Sequence, residues 1–504
     1  MSEALPGIPK PPPPGPPRLA AVVMLYRRVG TGVEVFWVKR EKALAFAGGF
    51  YAFPGGKVDQ ADAQVPVRGA TGAEAAVCVA AARELFEEAG VLVAEGAEAL
   101  GPERARELRR ALLANELPWQ QLLAEAGLSL RAGDFHPAGR WITPPYMPVR
   151  FDARFFLVEV PPYAQAELWP GELTEAAWVV PSQALERWEQ GTALLHPPNL
   201  HALRVMAGFD THARAVERLA TPAHCPDFVA SIIEFQQGVK LVPLETPTLP
   251  PATHTNTYLL GNGELLIVDP GAADEAECAK LFEVLSILQA QGMRPVAVVL
   301  THHHGDHIGG VQAVKERLGI PLWCHELTAE RIPVPAERLL KEGEVLELAG
   351  RPAQRWRVLH TPGHAPGHIC LVDELSRAAV VGDMVAGVGT IVIDPPEGNM
   401  RDYLAQLGRL QALPVTTLYP AHGATLPDGV GKLAEYIAHR QAREALILQA
   451  LPTSGAAIEQ VVETAYADTP AFLHPLAERS ALATLEKLVA EGRVRLEQGS
   501  YFPA

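Results

Sequence analysis

Apolar positions come in short runs over the first part of the chain. Leu19–Tyr26 and Val33–Lys39 have the length and the β-branched and aromatic content of strands. Gly48, Gly49, Pro54, Gly55 and Gly56 then punctuate the sequence. A helical period predicts a helix over Ala76–Ala89 and a second over Pro102–Ala126. A strand at Ala153–Val160 and a helix over Asn199–Leu219 follow. The composition shifts to Pro, His and Thr over Thr221–Thr248, which places a linker there. Beyond it the pattern alternates: strands at Asn256–Gly261 and Leu265–Asp269, a helix at Glu275–Gln291, a strand at Pro295–Thr301 and a helix at Gly309–Leu318. That alternation predicts an α/β layered domain. From Gly431 the chain turns helical and ends in two strand-like pieces around Gln498–Gly499. The expected division is a disordered Pro-rich leader (1–17), a first domain (18–220), a linker (221–239), an α/β domain (240–430) and a helical domain closed by a hairpin (431–504).

Composition narrows the class. A chain of 504 residues, 48% hydrophobic and 20% charged, has material for about three globular domains at ~150 residues each. The net charge of −15 repels nucleic acid and acidic membrane surfaces, although a local basic groove stays compatible with it. Five scattered cysteines without a CxxC point to a reducing compartment, and the expected location is the cytoplasm. The apolar run Leu19–Tyr26 falls short of the ~20 residues of a membrane span. The sequence carries no signal for an oligomeric state.

Glu84, Glu87 and Glu88 lie at i, i+3 and i+4, on one helical face. Three carboxylates so placed repel one another, and a cation is the natural reason for them. Oxygen-only ligands suit Mg²⁺ or Mn²⁺ shared with substrate phosphates. A solvated acidic face is the plain alternative, and the flanks decide against it. Arg83-Glu84-Leu85-Phe86-Glu87-Glu88-Ala89-Gly90-Val91 resembles the REUxEExGU core of the Nudix box, and Phe53-Pro54-Gly55-Gly56 resembles the glycine pair that opens it. The box is stretched by thirteen residues between Gly56 and Arg83. Counted back from Arg83, its first glutamate falls on Ala75, with Glu74 one position off and without an assigned role. Trp141-Ile142-Thr143-Pro144, Arg150-Phe151-Asp152, Arg154-Phe155-Phe156 and Leu195-His196-Pro197-Pro198 extend the resemblance to the Nudix branch that includes a peroxisomal coenzyme A diphosphatase. The resemblance implies an α/β/α sandwich and attack of water on a diphosphate, with coenzyme A or acyl-CoA as the favoured substrate. It further implies Glu87 and Glu88 as metal ligands, Glu84 as a ligand or the base, and Arg83 as the residue orienting them. Arg150 and Arg154 would pair with substrate phosphates, whose geometry guanidinium forks match.

Thr301-His302-His303-His304-Gly305-Asp306-His307 follows a buried strand pattern and is the strongest signal in the chain. In an extended segment His302 and His304 point the same way and can grip one ion, and Asp306 and His307 past the turn can grip a second. Imidazole suits zinc, and a carboxylate is compatible with zinc, iron or manganese. His364, Asp383 and His422 follow in Thr361-Pro362-Gly363-His364, Val381-Gly382-Asp383 and Pro420-Ala421-His422-Gly423. The set resembles the metallo-β-lactamase superfamily over about residues 240–430, which implies an αββα sandwich with two Zn²⁺ (or Fe/Mn). On that pattern His302, His304 and His364 form one site, Asp306, His307 and His422 the other, and Asp383 bridges. Asp306 would also serve catalysis, and Asp269 in Val268-Asp269-Pro270-Gly271 would buttress the ligands. His303, His360 and His368 lie beside the motifs without filling ligand slots and are expected in structural or substrate-side roles.

Thr255-Asn256-Thr257-Tyr258-Leu259 and Tyr436-Ile437-Ala438-His439-Arg440 resemble the lactamase-beta-like branch, which includes an endoribonuclease alongside glyoxalase II-like enzymes. Asn256 is the expected substrate contact. The tail resembles a winged helix, but seven basic against nine acidic residues make it a poor phosphate-backbone surface. The reading is therefore a bifunctional hydrolase: a Nudix diphosphatase followed by a dinuclear hydrolase of a small acyl or phosphoester substrate. RNA is a disfavoured partner, and no membrane contact is expected. Two alternatives are an RNA-processing endoribonuclease with the Nudix part as a binding module, and a nucleotide-sensing regulatory protein.

Overall fold

The computed structural model describes residues 15–42, 44, 47–144, 147, 149–169, 173–220 and 232–504. The Pro-rich leader up to residue 14, Cys225 and linker residues 221–231 lie outside the described residues. The chain forms two compact units that divide between Gln236 and Gln237. Its other four cysteines are buried and free. Among the described residues no helix is long and apolar enough to cross a membrane.

The first unit is built on β1 (Arg18–Val29) and β2 (Gly32–Arg40), with β3 (Tyr51–Ala52), β4 (Gly55–Lys57), β5 (Val67–Arg68), β6 (Leu130–Arg131), β7 (His136–Ile142), β8 (Phe151–Glu159) and β9 (Leu173–Val179) following along the chain. The main sheet runs β3-β2-β1-β8-β7, with β4 on β1 and β9 on β2, while β5 and β6 pair separately. The unbroken apolar run of β1 has a physical reason: both of its faces are covered. Ala21, Val23 and Leu25 join one core with α1 (Gly72–Ala89), α2 (Pro102–Leu113) and α3 (Trp119–Glu125). Met24 and Tyr26 join another with α4 (Pro181–Glu189), α5 (Pro197–Ala207) and α6 (His212–Ala220). A short strand, β10 (Ile233–Gln236), ends the unit. The layering is α/β/α.

Two predicted helices are each two. The helix expected over Pro102–Ala126 breaks where Asn115 turns left-handed (φ 57°) and Pro118 caps α3, whose start it favours because proline has no amide hydrogen to donate. The one over Asn199–Leu219 breaks after α5 at Gly208. The carboxylate helix α1 starts four residues earlier than predicted, at Gly72, and stops on Gly90, whose left-handed φ of 71° lets its N–H bond Phe86 O.

The second unit has two sheets. β11 (Val239–Glu245), β12 (His254–Leu260), β13 (Glu264–Val268), β14 (Arg294–Val299), β15 (Leu322–His325) and β16 (Arg338–Leu340) pair in that order. β17 (Val345–Leu348), β18 (Gln354–His360), β19 (Ile369–Asp373), β20 (Ala379–Gly382) and β21 (Leu418–Pro420) form the other. α7 (Glu275–Ala290), the one-turn α8 (Gly305–Ile308), α9 (Val311–Leu318) and the short α10 (Glu326–Ala329) accompany the first sheet. α11 (Met400–Gln411) and α12 (Gly429–Gln449) bury Tyr403, Leu407, Leu433 and Tyr436 against the second. The result is an αββα sandwich. α13 (Ile458–Ala465), α14 (His474–Ala490) and the hairpin of β22 (Val494–Glu497) and β23 (Ser500–Pro503) add a small core of their own. The hairpin turns through Gln498 and Gly499, both at positive φ (49° and 80°), as a tight right-twisted hairpin requires.

One buried cation ties α1 to its surroundings. Arg109 of α2 is 2% exposed and donates from Nε and Nη2 to Glu87 O (3.1 and 2.9 Å) and from Nη1 to Glu167 O (3.0 Å), with Trp169 across its face. Burial pulls its pKa down to about 10, so it remains charged at neutral pH. It meets the carbonyl end of α1, where the helix dipole favours positive charge. Arg109→Ala is expected to cost this unit roughly 3 kcal/mol of unfolding free energy, measured by urea unfolding. A loss below about 1 kcal/mol would show that the helix end holds itself.

Candidate functional site

The Nudix-like carboxylates are organised by a residue that backward counting misses. Counted forward from Gly56, the acidic position of the box is Asp62, so the thirteen extra residues follow it instead of preceding it. Arg83 donates to Asp62 from Nε and Nη2 (both 3.0 Å), and Asp62 is 1% exposed. The same guanidinium reaches Lys57 O (3.0 Å), Glu84 Oε1 (2.9 Å) and Glu87 Oε2 (3.2 Å). Glu88 Oε2 accepts from Gly55 N at 2.9 Å. Ala75 and Glu74 stand on the first turn of α1, Glu74 exposed. Both glycines are required by close approach: a Cβ on Gly56 would lie 2.4 Å from Glu84 Oε1, and one on Gly55 would lie 2.3 Å from Ala21 O. Burial raises the Glu84 carboxyl to about 7, with Arg83 opposing, and raises that of Glu87 as well. Hard oxygen donors that resist ionising in this setting are a donor set suited to a divalent cation.

The two arginines expected at phosphates are placed differently from each other. Ala21 of β1 pairs with Gly56 on one side and with Arg154 on the other, so Arg154 stands two strand spacings, about 10 Å, from Gly56. It shares Asp152 with Arg140, which holds that carboxylate by two 2.8 Å bonds. Arg150 bonds Thr143 O (3.1 Å) and Gly15 O (3.3 Å), which fixes the turn before β8.

In the second unit the histidine motif leaves β14 at its carboxyl end, where ligands of α/β sheets collect. His302 Nε2 and His364 Nε2 each lie 3.0 Å from His304 Nδ1. Two nitrogens on one tetrahedral ion stand about 3.3 Å apart. Ligand atoms of Asp306, His307 and His422 also lie within 4.8 Å of one another. Asp383 stands between the two groups, with Oδ2 at 3.4 Å from His364 Nε2 and Oδ1 at 3.4 Å from His422 Nε2. His307 Nε2 and Asp383 Oδ1 are buried without a hydrogen-bond partner, which a cation would supply. Burial pushes His302 well below the ordinary imidazole range and His364 to about 4. At His307 burial acts the same way, but Asp306, Asp269 and Asp383 prevail and raise it to about 10. The aspartates draw positive charge to this point, and the residues present fit a pair of metal ions.

Neighbouring side chains orient this set. Asp269, at a left-handed φ of 49°, accepts from Thr301 N (2.7 Å) and Thr301 Oγ1 (2.6 Å) and bonds His307 Nδ1 (2.9 Å). His368 is buried: its Nδ1 meets Thr361 Oγ1 (2.8 Å) and its Nε2 accepts from Asp383 N (3.1 Å). His360 bonds Pro366 O (2.8 Å) and stacks on His325. Asn256, expected at the substrate, instead spends its amide hydrogens on Pro420 O and Gly423 O (2.9 Å each), fixing the loop that carries His422. Glu397, to which sequence reasoning gave no role, meets His303 Nε2 at 2.5 Å and His304 Nε2 at 3.5 Å.

The Asp62–Arg83 pair yields a direct test. Asp62→Ala is expected to lower diphosphate turnover by about 10- to 100-fold, as loss of a ligand-orienting partner does, while Glu74→Ala leaves it unchanged. Steady-state kinetics on a nucleoside diphosphate substrate decides between them, and the reverse pattern would give Glu74, not Asp62, the acidic position.

Comparison with known proteins follows the same division. A model of the metallo-beta-lactamase superfamily matches residues 250–422, one of the beta-lactamase associated winged helix domain matches 457–500, and one of the NUDT19 Nudix domain matches 66–206. A beta-lactamase-like protein 2 homolog of Caenorhabditis elegans is 30% identical over 48% of this chain and 80% of its own length. An atrochrysone carboxyl ACP thioesterase of Claviceps purpurea is 32% identical over 39% of this chain and 60% of its own length. Among solved structures, a metallo-beta-lactamase family protein from Thermus thermophilus superimposes with a TM-score of 0.45 at 28% identity, covering 53% of this chain and 99% of that one. A NUDIX hydrolase from Alicyclobacillus acidocaldarius gives a TM-score of 0.36 at 28% identity, covering 41% and 97%. The chain belongs to the metallo-β-lactamase superfamily, with a NUDT19-type Nudix domain ahead of the lactamase-like domain and a winged helix after it, and is a metal-dependent hydrolase.

Proposed function

We propose that the two units carry separate hydrolytic sites, a Nudix site that cleaves a diphosphate and a dinuclear site that cleaves a small acyl or phosphoester bond. In the first, Glu87 and Glu88 hold Mg²⁺ or Mn²⁺, with Glu84 as a third ligand or as the base for the attacking water. Bound there, the ions neutralise charge on the phosphate oxygens. The Arg83–Asp62 pair carries this reading, because a guanidinium spent on Asp62, Glu84 and Glu87 fixes the carboxylates in register with Gly55–Gly56. Arg154 is the arginine better placed for a phosphate. Coenzyme A or an acyl-CoA is the favoured substrate.

At the second site His302, His304 and His364 hold one Zn²⁺, and Asp306, His307 and His422 the other, with Asp383 reaching both; iron or manganese would suit the same donors. The ions would activate water and polarise the bond under attack. The observation that carries this reading is the convergence of both ligand groups on Asp383. A thioester or similar acyl bond is the preferred target: the chain's −15 disfavours a long polyanion, and fungal relatives are named as ACP thioesterases. The four described cysteines, buried and free, accord with a reducing cytoplasm.

The Nudix reading is tested by Glu87→Gln together with Glu88→Gln, assayed with Mg²⁺ on coenzyme A, NADH, ADP-ribose and dinucleoside polyphosphates. The double variant is expected to lose diphosphatase activity while keeping its fold by circular dichroism. Coenzyme A is expected to be the best substrate, and a clear preference for any of the other three would sink that choice. The second site is tested with Asp306→Ala and with chelator-treated enzyme, against acyl-CoA or glutathione thioesters and single-stranded RNA at low and moderate salt. Thioester hydrolysis is expected to vanish in both. RNA cleavage lost in the variant, without thioester turnover in wild type, would make the nuclease reading primary.

A further inference from the structure

A histidine binds a metal ion through one ring nitrogen, and what the other nitrogen meets decides which tautomer is available. Four of the five ligand-type histidines have that second nitrogen fixed by the protein. His302 Nδ1 meets Thr301 Oγ1 (3.0 Å), whose own hydrogen goes to Asp269. His307 Nδ1 meets Asp269 Oδ2 (2.9 Å). His364 Nδ1 donates to Val392 O (2.9 Å) and His422 Nδ1 to His254 O (3.0 Å). All four therefore present Nε2 to the centre. His304 is the exception in orientation, because its Nδ1 faces His302 and His364 and its Nε2 faces outward. What faces that outward nitrogen is the carboxylate of Glu397, at 3.5 Å.

We propose that Glu397 is a positioning residue of the metal centre, accepting the Nε2–H of His304 so that the Nδ1 lone pair is free for the ion. The inference rests on reading His302, His304 and His364 as ligands of one ion. His303 Nε2, at 2.5 Å from the other carboxylate oxygen, braces Glu397 from the side. The backbone below Glu397 is set from further off. Ala386 N donates to the Tyr436 hydroxyl (2.8 Å), Arg440 donates to Ile391 O, Ile393 N donates to Ser480 Oγ (3.2 Å), and Arg479 pairs with Asp394 (2.8 Å). Tyr436 and Arg440 lie on α12, and Arg479 and Ser480 on α14. Gly398 N then closes onto Asp394 O (2.7 Å) and Asn399 N onto Gly363 O (2.7 Å), one residue before His364. The C-terminal helices thus hold the segment that serves His364 through Val392 and His304 through Glu397. They form an outer wall of the centre.

The test uses the full chain, with Zn²⁺ affinity measured by competition against a chromophoric chelator and Co²⁺ absorption as the spectroscopic readout. Glu397→Ala is expected to weaken the tighter-bound Zn²⁺ by about 10- to 100-fold and to shift the Co²⁺ bands. Glu397→Gln, whose side-chain oxygen still accepts a hydrogen bond, is expected to return affinity to within about fivefold of wild type. Unchanged affinity and bands in Glu397→Ala would overturn the proposal. So would a Glu397→Gln variant as weak as Glu397→Ala, since its side-chain oxygen keeps the hydrogen-bond acceptor to which the proposal assigns the effect. Thermal unfolding of the metal-free variants separates a damaged fold from a damaged site. Wild-type protein that takes up no Zn²⁺ would instead remove the ligand assignment itself, and this inference with it.

Discussion

Buried like charges have to be compensated where they stand, and both sites follow from that constraint. An isolated carboxylate inside a protein costs several kcal/mol unless positive charge or hydrogen-bond donors meet it. In the Nudix domain Arg83 supplies the positive charge and divides it among Asp62, Glu84 and Glu87. Its fork is filled on every side, so the carboxylates cannot drift apart, nor α1 slide along the sheet, without stranding a buried charge. In the lactamase-like domain three aspartates face a group of buried imidazoles, and His307 rises to about 10 because it alone among them lies near all three, 2.9 Å from Asp269, 3.9 Å from Asp306 and 3.7 Å from Asp383. The same constraint explains why Asp269 tolerates a left-handed backbone: its two oxygens accept three bonds that place Thr301 and His307.

The fold serves this constraint by where its strands end. β13, β14, β18, β20 and β21 each run into a site residue or its support: Asp269, the His302–His307 turn, His364, Asp383 and His422. Strands buried on both faces hold their ends rigidly, and residues just past such ends sit on short tethers. Asn256 shows the same economy from within a strand, since its amide on β12 fixes the loop after β21 by two backbone bonds.

How much of this was legible in the sequence depends on distance along the chain. The histidine motif lies within six consecutive residues, so its geometry follows from strand and turn alone, and His364, Asp383 and His422 stand beside turn-forming glycines that mark them. β1 is readable because burial on both faces leaves an uninterrupted apolar run, and β2 and β8 because each keeps a buried apolar stretch, Val35–Val38 and Phe155–Val158. The breaks between α2 and α3, and between α5 and α6, were not, because each depends on one or two residues inside an otherwise helical period. Asp62 escapes a count back from Arg83 because the insertion lies between the two, whereas the count forward from Gly56 reaches it and its bond to Arg83 bears the choice out. Glu397 is 93 residues from His304, in a loop with no motif, and no local pattern could have announced it.

The C-terminal helices raise a separate question of charge, since a winged helix is often a nucleic-acid surface. Here every one of the seven basic residues expected to supply that surface has a partner within the protein. Arg440 goes to Ile391 O, Arg479 to Asp394, and Arg443 to Asp468 and Ala465 O. Lys487 and Arg493 share Glu444 and Glu491, Lys432 pairs with Glu435, and Arg495 with Glu497. Exposed pairs such as the last two are worth little, and a phosphate could displace the carboxylate at small cost. Arg440 is different, because it is buried and holds the segment beside the metal centre. Withdrawing it to bind a phosphate would strand Ile391 O and loosen the wall that carries Val392 and Glu397. Arg440, the most buried of the tail's basic side chains, is also the one that holds the segment carrying Val392 and Glu397, and a guanidinium spent there is not free to meet a phosphate.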